Sequence, residues 1–266
     1  MGILNITHNS GFFSCSSVRL IEIINYFNNN KSLPDLVDSS KQYVHFKNNL
    51  SDDLTKIIYI NNDMKIDFSD EIKFNKNNTD QQFSNYNEIN FNNINPFIEK
   101  YFLISPLINQ RINYFINSYY LNLDKTIAVF YRGNDKITET NIGSYETYLY
   151  KMYELLSKNQ DCKILIQTDD QDFINFCYGK IPFTFFKELT TIPNNPNHVI
   201  HYFIDNKTDF AINFLSVTKI MSMCKILITH SGNCGLWSVL YRGGTNNVFQ
   251  YLNHFNNGGV WFNNYI

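Results

Sequence analysis

Three short signatures of common nucleotide-using and hydrolytic enzymes are absent from this sequence of 266 residues. It contains no G-x-S-x-G and no G-x-x-x-x-G-K-[ST], which disfavours an α/β hydrolase and a P-loop kinase. It also has no G-x-G-x-x-G, the glycine pattern of dinucleotide-binding folds. Any nucleotide site in this protein must therefore be formed by residues outside these motifs.

A strong charge of either sign and a paired cysteine pattern are also missing. The formal net charge is −2, so the sequence predicts no broad basic face and no nucleic acid partner. The five cysteines are an odd number without short paired spacing, which indicates free thiols in a reducing compartment rather than disulfides or a zinc site. They are Cys15, Cys162, Cys177, Cys224 and Cys234.

Targeting and membrane segments are not evident either. The start of the sequence lacks a basic region followed by an apolar core, and no apolar run approaches the roughly 20 residues of a membrane helix. We expect a soluble intracellular protein without a membrane span. Hydrophobic residues at 44% and aromatic residues at 16% are typical of a folded globular chain.

The first half of the sequence has weak periodicity. Gly2–Thr7 resembles a short strand, a polar loop containing Gly11 follows, and Val18–Phe27 has helical spacing with Ser16 or Ser17 as a cap. This order opens many Rossmann-like units, but it also fits an ordinary loop. Further strands are predicted at Pro34–Asp38 and Lys56–Ile60, and residues 75–95 form an asparagine-rich insertion or linker.

The second half alternates between strands and helices. This alternation predicts a parallel sheet with right-handed crossovers and a ligand cleft at the carboxyl ends of the strands. A helix around Ile108–Tyr119 leads into it. The predicted strands are Thr126–Tyr131, Lys163–Gln167, Phe183–Phe186, Lys225–Thr229 and Asn247–Gln250. The predicted helices are Ser144–Leu156, Gln171–Cys177, Asp209–Cys224 and Gly235–Tyr241.

Arg132 follows the first of these strands and is the residue of greatest interest. An arginine at the carboxyl end of a buried strand presents a fixed fork of donors that suits a phosphate. Alternatively, Arg132 pairs with Asp135 and braces the turn. Lys136 adds a second cation at the same place.

A polar loop with two glycines joins another predicted strand to a helix and has the sequence His230-Ser231-Gly232-Asn233-Cys234-Gly235. The first N–H groups of that helix would suit a diphosphate, unless Ser231 or Asn233 simply caps the helix. His230 is either a base or a hydrogen-bonding spacer. Cys234 reads as a packing thiol, because no dedicated base accompanies it.

Asp169 and Asp170 end a third strand. A Thr-Asp-Asp sequence before a helix is a good N-cap and first turn, and this interpretation is preferred to a metal-binding pair. His198 and His201 have no third ligand and indicate surface or packing roles rather than zinc. The sequence therefore predicts no metal site.

The order of these motifs resembles the GDP-fucose-dependent fucosyltransferases of the α1,2, α1,6 and protein-O-fucosyl type. The family's His-x-Arg-Arg-x-Asp motif is similar to the segment from Phe130 to Lys136, with Phe130 in place of the histidine and Gly133 in place of the second arginine. Gln167-Thr-Asp-Asp170 is similar to a later Ala-Thr-Asp-Asp segment. The stretch from Met221-Ser-Met-Cys-Lys225 to Trp237 resembles the last motif, and Ser10–Ser14 faintly resembles the family's N-terminal glycine loop.

This resemblance implies an α/β protein of the GT-B class, with two Rossmann-like parallel-sheet domains that face a cleft. We expect a small, divergent acceptor-side domain at residues 1–120 and a nucleotide-sugar domain at 121–266. The implied activity is the transfer of a sugar from a GDP-sugar to a hydroxyl of a glycan or glycoprotein, with inversion and without a metal ion. Fucose is the sugar that the resemblance favours. The alternative is a non-catalytic relative that binds a nucleotide sugar or glycan.

The resemblance also implies roles for individual residues. Arg132 would contact the β-phosphate, with Asp135 and Lys136 beside it. Some relatives have a catalytic glutamate a few residues after the Asp-Lys pair, and Glu139 lies one sequence position from that place. No acidic residue is in register with the one that binds guanine in the family, although Asp205 and Asp209 lie nearby. The expected substrate-binding residues are Gly11, Lys136, Asp169, Asp170, His230, Ser231, Gly232, Asn233 and Cys234, and no cofactor is expected.

Overall fold

The computed structural model describes residues 2–66, 70–74, 81–252 and 259–263. In these residues the chain forms eight α-helices joined by short 3-10 turns. The helices are α1 (Phe12–Asn30), α2 (Thr55–Ile58), α3 (Phe91–Tyr101), α4 (Pro106–Ser118), α5 (Tyr145–Lys158), α6 (Gln171–Cys177), α7 (Lys207–Met223) and α8 (Asn233–Arg242). None of the helices described combines the length and the apolar character that crossing a lipid bilayer requires.

The strands form one large sheet and two small ones. The six-stranded sheet has the order β10-β9-β8-β5-β6-β7, and all its neighbours are parallel except β10 and β9. The strands are β1 (Ile3–Asn5), β2 (Leu36–Asp38), β3 (Tyr59–Ile60), β4 (Leu103–Ile104), β5 (Thr126–Tyr131), β6 (Lys163–Thr168), β7 (Phe183–Thr184), β8 (Ile226–His230), β9 (Val248–Leu252) and β10 (Val260–Asn263).

The centre of the large sheet confirms the predicted α/β pattern. Strand β5 pairs in parallel with β6 on one side and with β8 on the other, so the three strands predicted to carry the site are neighbours. Every residue of β5 and β8 is buried, because helices cover both faces of a parallel sheet. The carboxyl ends of these strands therefore lie side by side at one edge.

Local boundaries in this half follow the sequence closely. Ser144 caps α5 by accepting a hydrogen bond from the Thr147 N–H, and Asp170 caps α6. The predicted bounds of β5 and α6 are the observed ones. Strand β10 pairs antiparallel with β9 at the sheet edge and was not predicted.

Two predictions in the first half are wrong. Helix α1 begins at Phe12 rather than Val18, because Phe12 and Phe13 are buried against aromatic residues far along the chain, and Gly11 starts the helix without a side-chain cap. The segment predicted as a strand at Lys56–Ile60 is mostly helix. Asp53 accepts hydrogen bonds from the backbone and hydroxyl of Thr55 and begins α2, which leaves only two residues for β3.

The asparagine-rich segment is ordered where the structure describes it. Residues 75–80 lie outside the described residues, but 3-10 turns form at Gln81–Phe83 and Tyr86–Glu88 and α3 follows. Tyr86 is buried, so this segment packs against the protein instead of forming a free linker. We name residues 81–88 the strap.

The first part of the chain packs directly on the second. Helix α1 lies against α8 and α4 lies against α7, and one hydrophobic cluster includes residues of both parts. The division at residues 120 and 121 stays a prediction. What the fold establishes is a strand edge against which α1 and the strap are packed.

Candidate functional site

A cavity of about 490 Å³ lies at the carboxyl edge of β5, β6 and β8. Its walls also include the start of α1, with Gly11 and its neighbours, so residues from both halves of the chain meet there. Predicted site residues at the cavity are Gly11, Arg132, Asp135, Lys136, Glu139, Asp169, His230, Asn233 and Cys234. The predicted residues Asp170, Ser231 and Gly232 are not among the lining residues.

Arg132 is largely buried in this cavity and paired with two carboxylates. Its Nη2 donates a hydrogen bond of 2.7 Å to Asp135, and its Nε lies 3.0 Å from Oδ2 of Asp169. Burial alone would lower the pKa of Arg132, but the adjacent Asp169 carboxylate raises it above the ordinary value. The hydrogen bond between Arg132 and Asp135 is therefore consistent with the interpretation that Arg132 braces the turn. The guanidinium still faces the cavity, with more donors than these partners use.

Asp169 is held in place by the turn that follows β5. It accepts a hydrogen bond of 3.1 Å from the Gly133 N–H, while Asn134 donates to the Asp169 carbonyl. Asn134 has φ of 47°, in the left-handed region, and this side-chain bond fixes it there. Burial raises the pKa of Asp169, and the adjacent Arg132 guanidinium and Gly133 N–H offset this rise only in part.

Asp170 acts as a helix cap, which confirms the preferred interpretation of this residue. Its Oδ1 accepts hydrogen bonds from the N–H groups of Asp172 and Phe173, and Oδ2 accepts one from Tyr145. A Cβ added at Gly133 would lie 2.2 Å from Oδ2 of Asp170. In this structure, a side chain at position 133 would therefore require the Asp170 carboxylate to move.

Lys136 is the second buried cation of the cavity. Its Nζ lies 2.5 Å from Oε2 of Glu139 and 3.2 Å from Oε1 of Gln82 in the strap, and it stands over the ring of Phe83. Glu139, with its side chain 47% exposed, is thereby held at the cavity rim. A carboxylate at this position can accept a proton from a molecule that enters the cavity.

Hydrogen bonds to the strap and to β9 hold the glycine loop before α8 in place. The Tyr86 hydroxyl accepts a hydrogen bond of 3.0 Å from the Gly232 N–H and donates one of 2.9 Å to the Gly232 carbonyl. Ser231 is buried and bonded to Tyr251 and Gln250. The Gly232 N–H is therefore engaged by Tyr86, and the first turn of α8 reaches the cavity at Asn233 and Cys234.

His230 lines the cavity with its ring almost fully buried. Its Nδ1 lies 2.5 Å from the Ser231 carbonyl, which can only accept, so Nδ1 carries the proton and Nε2 is an acceptor. Burial lowers the pKa of His230 to about 3, so the ring is neutral near pH 7. The other two histidines of interest make ring contacts: His201 stacks on His45, and His198 lies against Phe203. No group of three metal-binding side chains occurs in the described parts of the chain.

Several site residues were not anticipated from the sequence. The aromatic side of the cavity comes from α1, α7 and a 3-10 turn, and Gln82 of the strap bridges Lys136 and Asn233. Gln167 also lines the cavity floor. The aromatic residues are Phe12, Phe13, Phe46, Phe210 and Phe214. Phe12 and Phe13 fall in the segment that the sequence predicts as a polar loop, and no local signal marks the five aromatic residues as a common wall.

Comparisons with known proteins give structural matches only. No protein-family profile and no curated protein sequence matches this chain. A crystal structure of the NodZ α-1,6-fucosyltransferase soaked with GDP-fucose aligns over 99% of this chain and 99% of its own, with 11% identity and a TM-score of 0.58.

Two further structures align over a smaller part. A NodZ structure co-crystallised with GDP covers 61% of this chain and 49% of its own, with 12% identity and a TM-score of 0.38. A variant of Arabidopsis thaliana FUT1 in complex with GDP covers 60% and 35%, with 9% identity and a TM-score of 0.37. The full-length alignment agrees with the resemblance to fucosyltransferases that the sequence motifs indicated. The chain therefore has a fucosyltransferase-like fold, carried by a strongly divergent sequence.

Proposed function

We propose that this protein is an inverting glycosyltransferase that transfers a sugar, most simply fucose, from a GDP-sugar to a hydroxyl of a glycan or glycoprotein. One observation carries the proposal. Arg132, Lys136 and the first turn of α8 meet in a single cavity at the carboxyl edge of the sheet. The fold is shared along its length with an α-1,6-fucosyltransferase whose crystals were soaked with GDP-fucose.

The chemistry required is displacement at the anomeric carbon. The acceptor oxygen forms a bond to that carbon while the bond from the carbon to the phosphate oxygen breaks, and GDP leaves with the electron pair. Arg132, Lys136 and the N-terminus of α8 offset the negative charge that builds on the diphosphate. These groups could do so without a divalent ion, and metal-independent turnover is part of the proposal.

The acceptor proton needs a base at the cavity. We assign this role to Glu139, because its carboxylate is exposed at the rim and positioned by Lys136. Asp135 also lines the cavity, where it pairs with Arg132, and it is the second candidate for the base. The proton of the acceptor hydroxyl would pass to the base as the new glycosidic bond forms.

The GT-B arrangement is also part of this proposal. In it, the first part of the chain forms the acceptor side of the cleft and residues from 121 onward bind the nucleotide sugar. The loop at Gly11 supports it, because this loop borders the same cavity as Arg132. Gly11 is exposed, and a Cβ added there would meet no atom within 4 Å.

The test begins with nucleotide selectivity. GDP, UDP, CMP and dTDP are compared by thermal shift, since a ligand that binds only the folded state raises its apparent stability. We expect GDP to give the largest shift. GDP-fucose is then incubated with a glycan panel, and release of GDP together with a fucosylated product is measured. GDP binding with neither transfer nor donor hydrolysis would favour a binding protein, and selectivity for another nucleotide would contradict the donor assignment.

A further inference from the structure

The floor of the cavity carries two buried polar atoms without a partner. Nε2 of His230 and Oε1 of Gln167 make no hydrogen bond within the part of the chain that the structure describes. Both residues line the cavity, with exposed fractions of 2% and 6%. Buried polar atoms are nearly always satisfied in native proteins, so two exceptions on one floor call for an explanation.

The two residues lie on the strands on either side of the strand that carries Phe130. Phe130 of β5 is the register partner of Gln167 on β6, and β8, which ends in His230, lies on the other side of β5. The ring centroids of Phe130 and His230 are 5.5 Å apart. The floor therefore consists of an apolar ring between two polar groups on the neighbouring strands.

The two unpartnered atoms, Nε2 of His230 and Oε1 of Gln167, are both hydrogen-bond acceptors. The Nδ1–H of His230 is donated to the Ser231 carbonyl, and Nε2 of Gln167 donates to the Thr168 carbonyl at 3.3 Å. A phosphate at neutral pH has few donors to offer such atoms. A ligand that satisfies them must bring hydroxyl or N–H groups on either side of an apolar surface.

We propose that Phe130, Gln167 and His230 form the subsite for the glycosyl group of the donor, with the C–H face of the sugar on Phe130 and two sugar hydroxyls donating to Gln167 and His230. This inference rests on the proposed function. The position favours the sugar over the base: Phe130 lies two residues from Arg132, and the sugar is attached directly to the β-phosphate. A site built to bond hydroxyls discriminates strongly against a ligand that lacks them.

The experiment compares GDP with GDP-fucose by calorimetric titration without an acceptor. The variants are His230→Phe and Gln167→Met, which remove one acceptor each at similar volume. Thr190→Val is the control, because it removes a polar group from another part of the same cavity. Circular dichroism establishes which variants are folded, and either variant alone can test the subsite if the other fails to fold.

We expect the wild type to bind GDP-fucose more tightly than GDP. Each variant should lose about three- to tenfold of that preference, the effect of one hydrogen bond, while its GDP affinity stays within about twofold. The control should keep the preference. An equal loss for GDP and GDP-fucose would mean that the floor holds the nucleotide, and an unchanged preference would mean that it reads no sugar; either result overturns the inference.

The two proposals fail in different ways. A wild type that binds GDP but shows no preference for GDP-fucose removes the sugar subsite and leaves the nucleotide assignment intact. A wild type that binds neither compound removes the proposed function, and the inference with it. The wild-type GDP titration thus reports on the function, and the ratio of the two affinities reports on the floor.

Discussion

Nε of Arg132 lies 3.0 Å from Oδ2 of Asp169, yet its N–H is not directed at that oxygen, so the two charges face each other without a hydrogen bond. A second carboxylate, Asp135, accepts from Nη2 at 2.7 Å. The carboxylates orient the guanidinium, and they also reduce the positive potential that an anion would meet. The balance between these effects decides how tightly a diphosphate binds.

Arg132→Ala should weaken GDP binding by about 1.5–3 kcal/mol, the contribution of a charge-assisted hydrogen bond, and should abolish measurable transfer. Arg132→Lys should also bind poorly, because an ammonium lacks the planar fork of donors. Calorimetric titration of GDP measures the loss. Arg111→Ala is the matched control, since Arg111 pairs with Asp209 outside the cavity. Equal GDP affinities in folded wild type and Arg132→Ala would mean that Arg132 only braces its turn.

Asp169→Asn should strengthen GDP binding near pH 7.5, because it removes a negative charge beside Arg132 while keeping an acceptor for the Gly133 N–H. Burial raises the pKa of Asp169, so in the wild type this carboxylate gains its proton at a higher pH than an ordinary aspartate. The advantage of the variant should therefore shrink as the pH is lowered and the wild-type carboxylate gains its proton. Titrations of both proteins at pH 7.5 and 5.5 give the ratio. A variant that binds GDP more weakly at both values would assign Asp169 to the ligand rather than to Arg132.

Glu139→Gln should lower kcat by roughly 10²–10⁴ and leave GDP affinity almost unchanged, because the amide keeps the shape of the side chain but cannot take a proton. Single-turnover transfer and GDP titration on the same preparation separate these effects. Glu154→Gln is a suitable control, since this exposed glutamate also pairs with lysines but lies on α5 away from the cavity. Normal turnover in Glu139→Gln would move the role to Asp135 first.

Turnover should persist in excess EDTA, because Arg132, Lys136 and the start of α8 supply the positive charge that a diphosphate requires. The measurement is the initial rate of transfer with and without the chelator, followed by addition of manganese. Activity that disappears with EDTA and returns with manganese would make Asp169 a metal ligand. It would also require Asp170 to leave its position as the cap of α6.

The free energy of unfolding should fall as the pH decreases below about 6.5. His230 has a folded pKa of about 3, whereas an unfolded histidine titrates near its ordinary value, so the unfolded state takes up the proton first. Between pH 6.5 and 5 this residue alone accounts for about 2 kcal/mol. Urea unfolding of wild type and His230→Phe at both pH values measures the difference. A wild-type stability that is independent of pH across this interval would contradict the burial of a neutral His230.

The sequence predicted the second half of the chain well because its signals are local. Strand β5 is an unbroken apolar run with a turn after it, and Asp170 caps the helix that begins at the next residue. The carboxyl edge of parallel strands then brings Arg132, Asp169 and His230 together by topology alone. Their assignment to one cavity therefore follows from the fold class.

The remaining features depend on contacts between distant residues. The Tyr86 hydroxyl meets the Gly232 backbone 146 positions away, and nothing in the asparagine-rich sequence around Tyr86 marks it as a clamp. The early start of α1 has the same origin, because Phe13 stacks on Trp237 of α8. Tertiary packing overrides weak local preferences in such segments. The strap and the aromatic side of the cavity therefore could not be predicted from the sequence.

The contact between Gly133 and Asp170 constrains how this sequence can change. A side chain at position 133 requires the space that the Asp170 carboxylate occupies, and removal of that carboxylate uncaps α6. Gaining an arginine at 133 is therefore costly while Asp170 stays in place, and losing Asp170 is costly while nothing compensates for the cap. We therefore expect the effects of substitutions at the two positions to be non-additive. A scan of single substitutions would report position 133 as intolerant of side chains, although a double substitution that also changes position 170 relieves the clash.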